Sequence, residues 1–304
     1  MNKRAFLYPG QASQYVGMGK DLYDKFPRAK EIFDLANTLL DFNLKSICFE
    51  GPEDELKQTR ITQPAIFVHS IAVTNLLADQ KITPVMAAGH SLGEYSALVA
   101  AQAISFIDGL KIVKKRGELM QYAGEKQPGT MAAIIGLSDK EVIEICNEAS
   151  FAGIVAAANF NSPIQIAISG SLEGIAKASE LARQKGAKKV MPLVVSGAFH
   201  SPLMESAQQE LKAALDEIEI QTAKFPVYAN VTAKPVKKAD EIRELLYKQL
   251  THPVRWVETI ENMLSDGAND FYEVGPGNVL AGLVKRINRD CPVQPKGKVE
   301  EIIG

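Results

Sequence analysis

The sequence is poor in cysteine. Cys48, Cys146 and Cys291 are its three, spread over 304 residues with no Cys-x-x-Cys pair. That spacing argues against a disulfide framework and against a thiolate zinc site, so no metal is expected, and it fits a reducing cytoplasm. An excess of one charge is also missing. The 34 basic and 36 acidic residues leave a net charge of −2, so bulk charge points neither to nucleic acid nor to an anionic membrane. No basic block is interleaved with aromatics. No apolar run is expected to reach the length of a membrane helix. Met1–Arg4 leads into a four-residue apolar stretch, Ala5–Tyr8, too short for a signal peptide and suited to a first strand. Internal repeats and low-complexity tracts are absent, and histidine is scarce, with only His69, His90, His200 and His252.

What is present is an ordinary globular composition, 46% hydrophobic and 23% charged, sized for one large domain or two unequal ones. Strand and helix patterns alternate, which predicts an α/β protein with a mostly parallel sheet. Ala5–Tyr8 is the expected first strand. Thr62 is expected to cap a helix with Pro64 near its first turn, running to about Ala78. Val85–Ala88 reads as a strand, and helices at Glu94–Ala103 and Phe106–Ala123 follow. After the Gln127-Pro128-Gly129 turn the texture changes. Strand 131–135, helix 139–148, strands 154–159 and 164–169, helix 172–185 and strand 189–195 give the β-α-β-β-α-β order of a ferredoxin-like unit. The α/β texture resumes with a helix at Pro202–Ile218 and a strand at Phe225–Ala229. Helices near Ala239–Gln249 and Trp256–Leu264, a strand at Phe271–Val274 and a helix at Val279–Arg289 complete it. The predicted organisation is a core made of 1–127 and 198–304, interrupted by a small subdomain at 128–197. The polar, Lys-rich stretch 294–304 is expected to be disordered or to lie on the surface.

One motif carries chemistry. Residues 89–95 read Gly-His-Ser-Leu-Gly-Glu-Tyr directly after the Val85–Ala88 strand and before a helix. With 16 serines and 22 glycines, Gly-x-Ser-x-Gly is expected about 0.08 times by chance, so its occurrence at a strand-to-helix junction is a signal. Glycines two before and two after let neighbouring backbone approach, while the turn lifts the serine clear of the sheet. Ser91 is therefore the candidate nucleophile, and the N–H of Leu92, at the start of the helix, the candidate oxyanion donor. A serine hydroxyl needs a base. His69 lies inside a predicted helix, and His90 points away from its neighbour Ser91 on an extended strand. His200, where a strand runs into a loop, and His252, at a turn before Pro253, remain open as candidates. No carboxylate precedes His200 on a strand-end loop, so a neutral carbonyl or amide is expected to orient it. Gln11, in the loop after the first strand, can supply a second oxyanion N–H. Arg116 reads first as part of a basic helix face, Lys114-Lys115-Arg116, and second as a guanidinium turned inward to hold a carboxylate.

With these positions in place, the chain resembles the bacterial malonyl-CoA:acyl carrier protein transacylases of fatty acid synthesis over nearly its whole length. The resemblance rests on residues 9–14 (PGQASQ), Thr62-Gln63-Pro64-Ala65, Gly89–Tyr95, Arg116-Gly117 and Asn159-Phe160-Asn161-Ser162-Pro163. It extends through Gly197–Pro202, Gln249, Pro253-Val254-Arg255-Trp256 and Glu273–Gly277. It implies a hydrolase-like α/β core with a ferredoxin-like insertion. It implies that Ser91 is acylated in a ping-pong cycle with His200 as base and acid, Gln11 and Leu92 as oxyanion hole, and Gln249 orienting His200. Arg116 would bind the malonyl carboxylate, Gln63 and Asn161 would line the cleft, and Phe199 would favour malonyl over bulkier acyl groups. Coenzyme A thioester is the implied substrate, with no permanently bound cofactor, and acyl carrier protein the transient, electrostatically attracted partner of a monomer. Lys185, Lys188 and Lys189, or Lys285 with Arg286, are the candidate docking patches. Two other readings are a serine thioesterase or carboxylesterase, and an idle carrier-protein-binding module. A polyketide-pathway acyltransferase is a variant of the first reading. A cation in an apolar acyl pocket counts against a lipid esterase, and an intact elbow and histidine count against an idle module.

Overall fold

The structure, a computed structural model, describes residues 3–303. Along the chain, β1 (Arg4–Tyr8) is followed by α1 (Lys20–Lys25), α2 (Pro27–Leu39), α3 (Leu44–Glu50), α4 (Glu53–Leu56) and α5 (Thr59–Asp79). Next come β2 (Met86–Gly89), α6 (Gly93–Ala100), α7 (Phe106–Lys126), β3 (Gly129–Ile135), α8 (Asp139–Ala149), β4 (Val155–Ser162) and β5 (Gln165–Ser171). After α9 (Leu172–Gln184) and β6 (Lys189–Leu193), a 3-10 turn at Pro202–Met204 opens α10 (Glu205–Asp216). The chain ends with β7 (Val227–Tyr228), β8 (Pro235–Val236), α11 (Ala239–Gln249), α12 (Trp256–Ser265), β9 (Asp270–Val274), α13 (Val279–Ile287), β10 (Val293–Lys296) and α14 (Val299–Ile303).

These strands form two sheets. The larger has the order β10-β9-β1-β2-β7-β8 and is parallel except at the β7–β8 edge. Helices cover both of its faces, which is why Ala5-Phe6-Leu7-Tyr8 is apolar without alternation and fully buried. Because β1, β2 and β7 run side by side in one direction, the loops leaving them at Pro9, His90 and Ala229 open on the same edge. In an open α/β sheet, that carboxyl edge is where a crevice forms. The second sheet, β4-β5-β3-β6, is wholly antiparallel. Helices α8 and α9 pack on it around Ile134, Val142, Ile145, Ile166 and Ile168. Ser138 and Ser171 cap these two helices, the first in a reciprocal capping box with Glu141.

Several expectations are corrected. Helix α5 begins at Thr59 behind Gln58, not at Thr62, so Pro64 sits in its second turn. Thr62 instead donates its hydroxyl to the Leu56 carbonyl. This helix is long and apolar enough to cross a membrane by length and composition, with mean hydropathy 1.3, yet 83% of that stretch is buried among the other elements. It is the core helix on which α7 and α2 pack. The expected helix from Pro202 is α-helical only from Glu205. The stretch from Gln294 is ordered as far as it is described: β10 extends the main sheet, and α14 is tied by the Val299 N–H to Asp21. Gly304 lies outside the described residues.

Candidate active site

The elbow is built as its spacing predicted. Ser91 has φ +52°, in the left-handed region that a non-glycine residue seldom occupies. A Cβ at Gly89 would collide with the backbone of Gly93, and one at Gly93 with the carbonyl of Tyr8. Glycine at both places is therefore what lets β2 turn into α6 directly against β1. The N–H of Leu92 donates to no acceptor among the described residues, and neither does that of Gln11. The Gln11 loop presses on the turn so closely that a Cβ at Gly10 would meet the His90 carbonyl. The Gln11 side chain reaches Thr59 Oγ1 at 3.3 Å.

Of the two open histidines, the structure brings His200 to the serine. Its Nε2 lies 2.8 Å from Ser91 Oγ. Its Nδ1 faces two carbonyl oxygens, Gln249 O at 2.9 Å and His252 O at 3.1 Å. Two acceptors at Nδ1 require the proton there, which leaves Nε2 bare to accept from Ser91. The neutral orienting group expected from sequence is thus a pair of backbone carbonyls. Burial, reinforced by the charge of Arg116, depresses His200 to about 3, so the imidazole is neutral at physiological pH. His200 also sits at φ +58°, a second strained residue at the same point. The ring of His252 is exposed and turned back to the Lys248 carbonyl. His69 is buried in α5, and His90 bonds Asn161 Oδ1 at 2.7 Å.

Arg116 overturns the commoner reading of its neighbourhood. It is 1% exposed, in contrast to the partly exposed Lys114 and the exposed Lys115 beside it. Its Nη1 donates to Gln63 Oε1 at 2.8 Å, and its Nη2 to Gln249 Oε1 and Ser91 Oγ, each at 3.0 Å. All three oxygens are neutral, so the cation enters the cleft without a directly bonded anion. The guanidinium lies 5.5 Å from the centre of the Tyr95 ring. Gln63 stands behind Arg116, sharing its other end with Met120 Sδ, rather than on an open wall. Gln249 contributes both backbone and side chain: its carbonyl accepts a hydrogen bond from His200 Nδ1–H, and its Nε2 donates to the Ser91 carbonyl at 3.0 Å. Phe199 is buried beside His200.

Sequence reasoning passed over two residues. Asn230, just past β7, accepts the Ser91 N–H at 2.7 Å and donates to the Gly89 carbonyl at 2.6 Å, clamping the strained turn. Glu94, within the motif itself, accepts from Gln249 Nε2 at 2.7 Å and from the Asn230 N–H at 3.0 Å. The second sheet reaches this site through β4. Phe160 N donates to Val254 O and Val254 N to Ala158 O, stitching β4 to the loop that carries His252. Among the described residues, no cluster of three or more His, Cys, Asp or Glu side chains is placed to hold a metal. Lys185 is engaged by Glu148 at 2.5 Å and Arg286 by Gln165 at 2.8 Å, so neither candidate docking patch is wholly unpaired.

Comparison with known proteins places this arrangement. The family described as acyl transferase domain matches residues 5–304. A malonyl CoA-acyl carrier protein transacylase of Bacillus subtilis (strain 168) is 48% identical over 290 residues, covering 95% of this chain and 92% of that protein. One of Staphylococcus aureus (strain MRSA252) is 42% identical over 100% of this chain and 98% of its own length. Among solved structures, the malonyl CoA-acyl carrier protein transacylase of Coxiella burnetii superposes with a TM-score of 0.96 at 40% identity, covering 99% of this chain and 96% of that one. A malonyl-transacylase solved in complex with its type II PKS acyl-carrier protein also gives 0.96, at 39% identity, over 99% of this chain and 98% of that one.

Proposed function

The chain belongs to the acyl transferase domain family, and from that membership we propose that it moves malonyl from coenzyme A to the phosphopantetheine thiol of acyl carrier protein through Ser91. The observation that carries this reading is the buried Arg116 donating to Ser91 Oγ at 3.0 Å, since it sets a cation where the acyl chain of the substrate must end. Ser91 Oγ attacks the thioester carbonyl while His200 Nε2 takes its proton. The oxyanion is received by the free N–H groups of Leu92 and Gln11. The coenzyme A thiolate leaves with the proton from His200. The carrier thiol then attacks the malonyl ester, giving its proton to His200, and the proton returns to Ser91 as the bond breaks. Throughout, two parallel hydrogen bonds from Arg116 hold the malonyl carboxylate, in place of the contact with Ser91 Oγ. Gln63 and Gln249 hold the guanidinium, Asn161 fixes His90 at the cleft, and Phe199 limits the room beside the acyl carbon.

The reading extends to architecture and setting. Residues 1–127 and 198–304 form a hydrolase-like core, supported by a serine elbow on a parallel strand. Residues 128–197 form a ferredoxin-like insertion, supported by the strand order β4-β5-β3-β6. Every named group comes from one chain, so a monomer suffices, and the setting is the cytoplasm. No metal or bound cofactor enters this chemistry, and coenzyme A takes part only as the thioester substrate. Incubation with malonyl-CoA alone, followed by intact mass measurement, tests the proposal. A persistent malonyl adduct is expected. Rapid release of free malonate would indicate a thioesterase, and an unmodified protein with intact malonyl-CoA would indicate a binding module. Competition between a fatty-acid and a polyketide carrier protein then assigns the pathway.

A further inference from the structure

Glu94 is a buried carboxylate, 2% exposed, three residues beyond the nucleophile, and no step of the transfer uses it. Its Oε2 accepts from Gln249 Nε2 at 2.7 Å and from the Asn230 N–H at 3.0 Å. The same Gln249 nitrogen donates to the Ser91 carbonyl at 3.0 Å. With its nitrogen claimed by two acceptors, the Gln249 amide must turn its oxygen outward, and that oxygen meets Arg116 Nη2 at 3.0 Å. A carboxamide fits its socket either way round, because oxygen and nitrogen differ little in size. Reversed here, the NH₂ would face the guanidinium donor to donor, and Glu94 and the Ser91 carbonyl would face an oxygen. The result is a chain from Glu94 through Gln249 to Arg116, in which an amide separates anion from cation. Direct pairing would saturate the guanidinium, whereas this spacing holds it in place and leaves its donors for a ligand.

We propose that Glu94 is a positioning residue: by fixing which way round the Gln249 amide sits, it aims Arg116 and so sets the preference for an acyl group that carries a carboxylate. Burial pushes the Glu94 carboxyl up to about 7, against the downward pull of Asn230, Gln249 and Arg116. The oxygen facing Gln249 accepts in either protonation state, so an acceptor atom at that point is what the geometry requires.

The inference rests on Arg116 holding the malonyl carboxylate, and its test separates the two. Initial rates of Ser91 acylation by malonyl-CoA and by acetyl-CoA are measured for the wild type, Glu94→Gln, Glu94→Asp and Glu94→Ala, with a thermal melt of each. Glu94→Gln keeps an acceptor oxygen at full reach, and its malonyl-over-acetyl ratio of kcat/KM stays within about threefold of wild type. Glu94→Asp keeps the charge but withdraws the oxygen, and Glu94→Ala removes it. In both the ratio falls roughly 10- to 100-fold, the loss lying in the malonyl rate. If Glu94→Ala does not fold, the Gln and Asp variants decide alone. Equal losses for both acyl-CoAs, an unchanged ratio in Glu94→Asp, or a lost ratio in Glu94→Gln would overturn the inference. A wild-type ratio near unity would instead overturn the role of Arg116 itself.

Discussion

The two sheets handle polarity in opposite ways. At the carboxyl edge of the parallel sheet, Glu94, Arg116 and His200 are all buried, and Ser91 and His200 have positive φ. Within 128–197 the buried polar residues are only Asn159, Ser162, Ser169 and Ser179, all uncharged, and positive φ occurs only at glycines. Elements of the second sheet follow local rules throughout: apolar faces meet, serines cap helices, and charges stay outside. The first sheet breaks those rules around Ser91, where a hydrogen-bond network holds the break, and again at the end of β9, where the buried Glu273 accepts from the Leu280 and Ala281 N–H groups. At Ser91 and His200 backbone strain coincides with buried charge in the candidate site, and the surrounding structure over-determines their positions.

Substitutions in the two regions should therefore fail differently. The largest effects belong to the nucleophile and its base. Ser91→Ala should abolish acylation, and His200→Ala should slow it about 10²- to 10⁴-fold, with melting temperatures near wild type. An adduct persisting in Ser91→Ala would move the nucleophile elsewhere. In the second sheet the expectation inverts. Ile168→Ala, at a fully buried position, should cost about 2–5 kcal/mol in denaturant titrations while the folded fraction keeps its acylation rate. Loss of rate at unchanged stability there would erase the contrast.

A gentler test uses pH. Burial pushes Glu94 and Glu273 up to about 7, above the unfolded value of ~4.3. A raised acid stabilises the fold fully below its unfolded value, and that stability is lost as pH climbs through the folded one. The buried histidines work oppositely. Burial depresses His69 to about 4, burial and the charge of Arg116 depress His200 to about 3, and burial also lowers His90. Their contribution is lost as pH falls below ~6.5, the ordinary imidazole value. Melting temperature should thus decline as pH rises from ~7 through ~8, where the unfolded-state imidazoles have lost most of their protons and the raised carboxyls are still releasing theirs. The acylation rate should meanwhile show no drop as pH falls through ~6.5, because His200 remains neutral there. A rate that halves near that value would place an ordinary histidine at the base position. The smallest effect is at the rim. Charge reversal at Lys188 and Lys189, or at Lys285 and Arg286, should raise KM for carrier protein a few-fold, roughly, and leave acylation by malonyl-CoA unchanged. Equal change in both half-reactions would remove those patches as docking sites.

The contrast also explains what could be read from sequence. The order of the second sheet was legible because its periodicity and caps are local. The elbow was legible because its chemistry demands glycine at fixed spacing. Arg116 was legible as an inward guanidinium only as the second local reading and through the family resemblance, because nothing local separates it from Lys114 and Lys115: its burial goes with a tertiary helix contact in which a Cβ at Gly117 would come within 3.0 Å of Arg60 Cα. Glu94 reads as an ordinary acidic residue in the first turn of a helix, and Asn230 as a turn former. Their partners lie 155 and 139 residues away, beyond any local pattern. Helices α1, α3 and α4 are too short to show a period, whereas α2 carried a readable signal, Pro27 at its first position and a buried stripe at Ala29, Ile32, Phe33 and Ala36, that sequence reasoning did not use. Strand β10 exists through its pairing with β9, which polar composition conceals.

The central claim is that a buried cation, held by neutral groups, selects the acyl chain. Its most direct measurement is kcat/KM for malonyl-CoA and acetyl-CoA in the wild type, Arg116→Ala and Arg116→Lys. Removing one partner of a buried ion pair costs ~3–5 kcal/mol, so Arg116→Ala should lose roughly 10²- to 10³-fold or more with malonyl-CoA. Acetyl transfer should be spared or improved, and Arg116→Lys should recover only part of the malonyl loss, since a point charge cannot form two parallel bonds. A fall by the same factor for both acyl-CoAs in Arg116→Ala would contradict the account and leave Arg116 a structural residue.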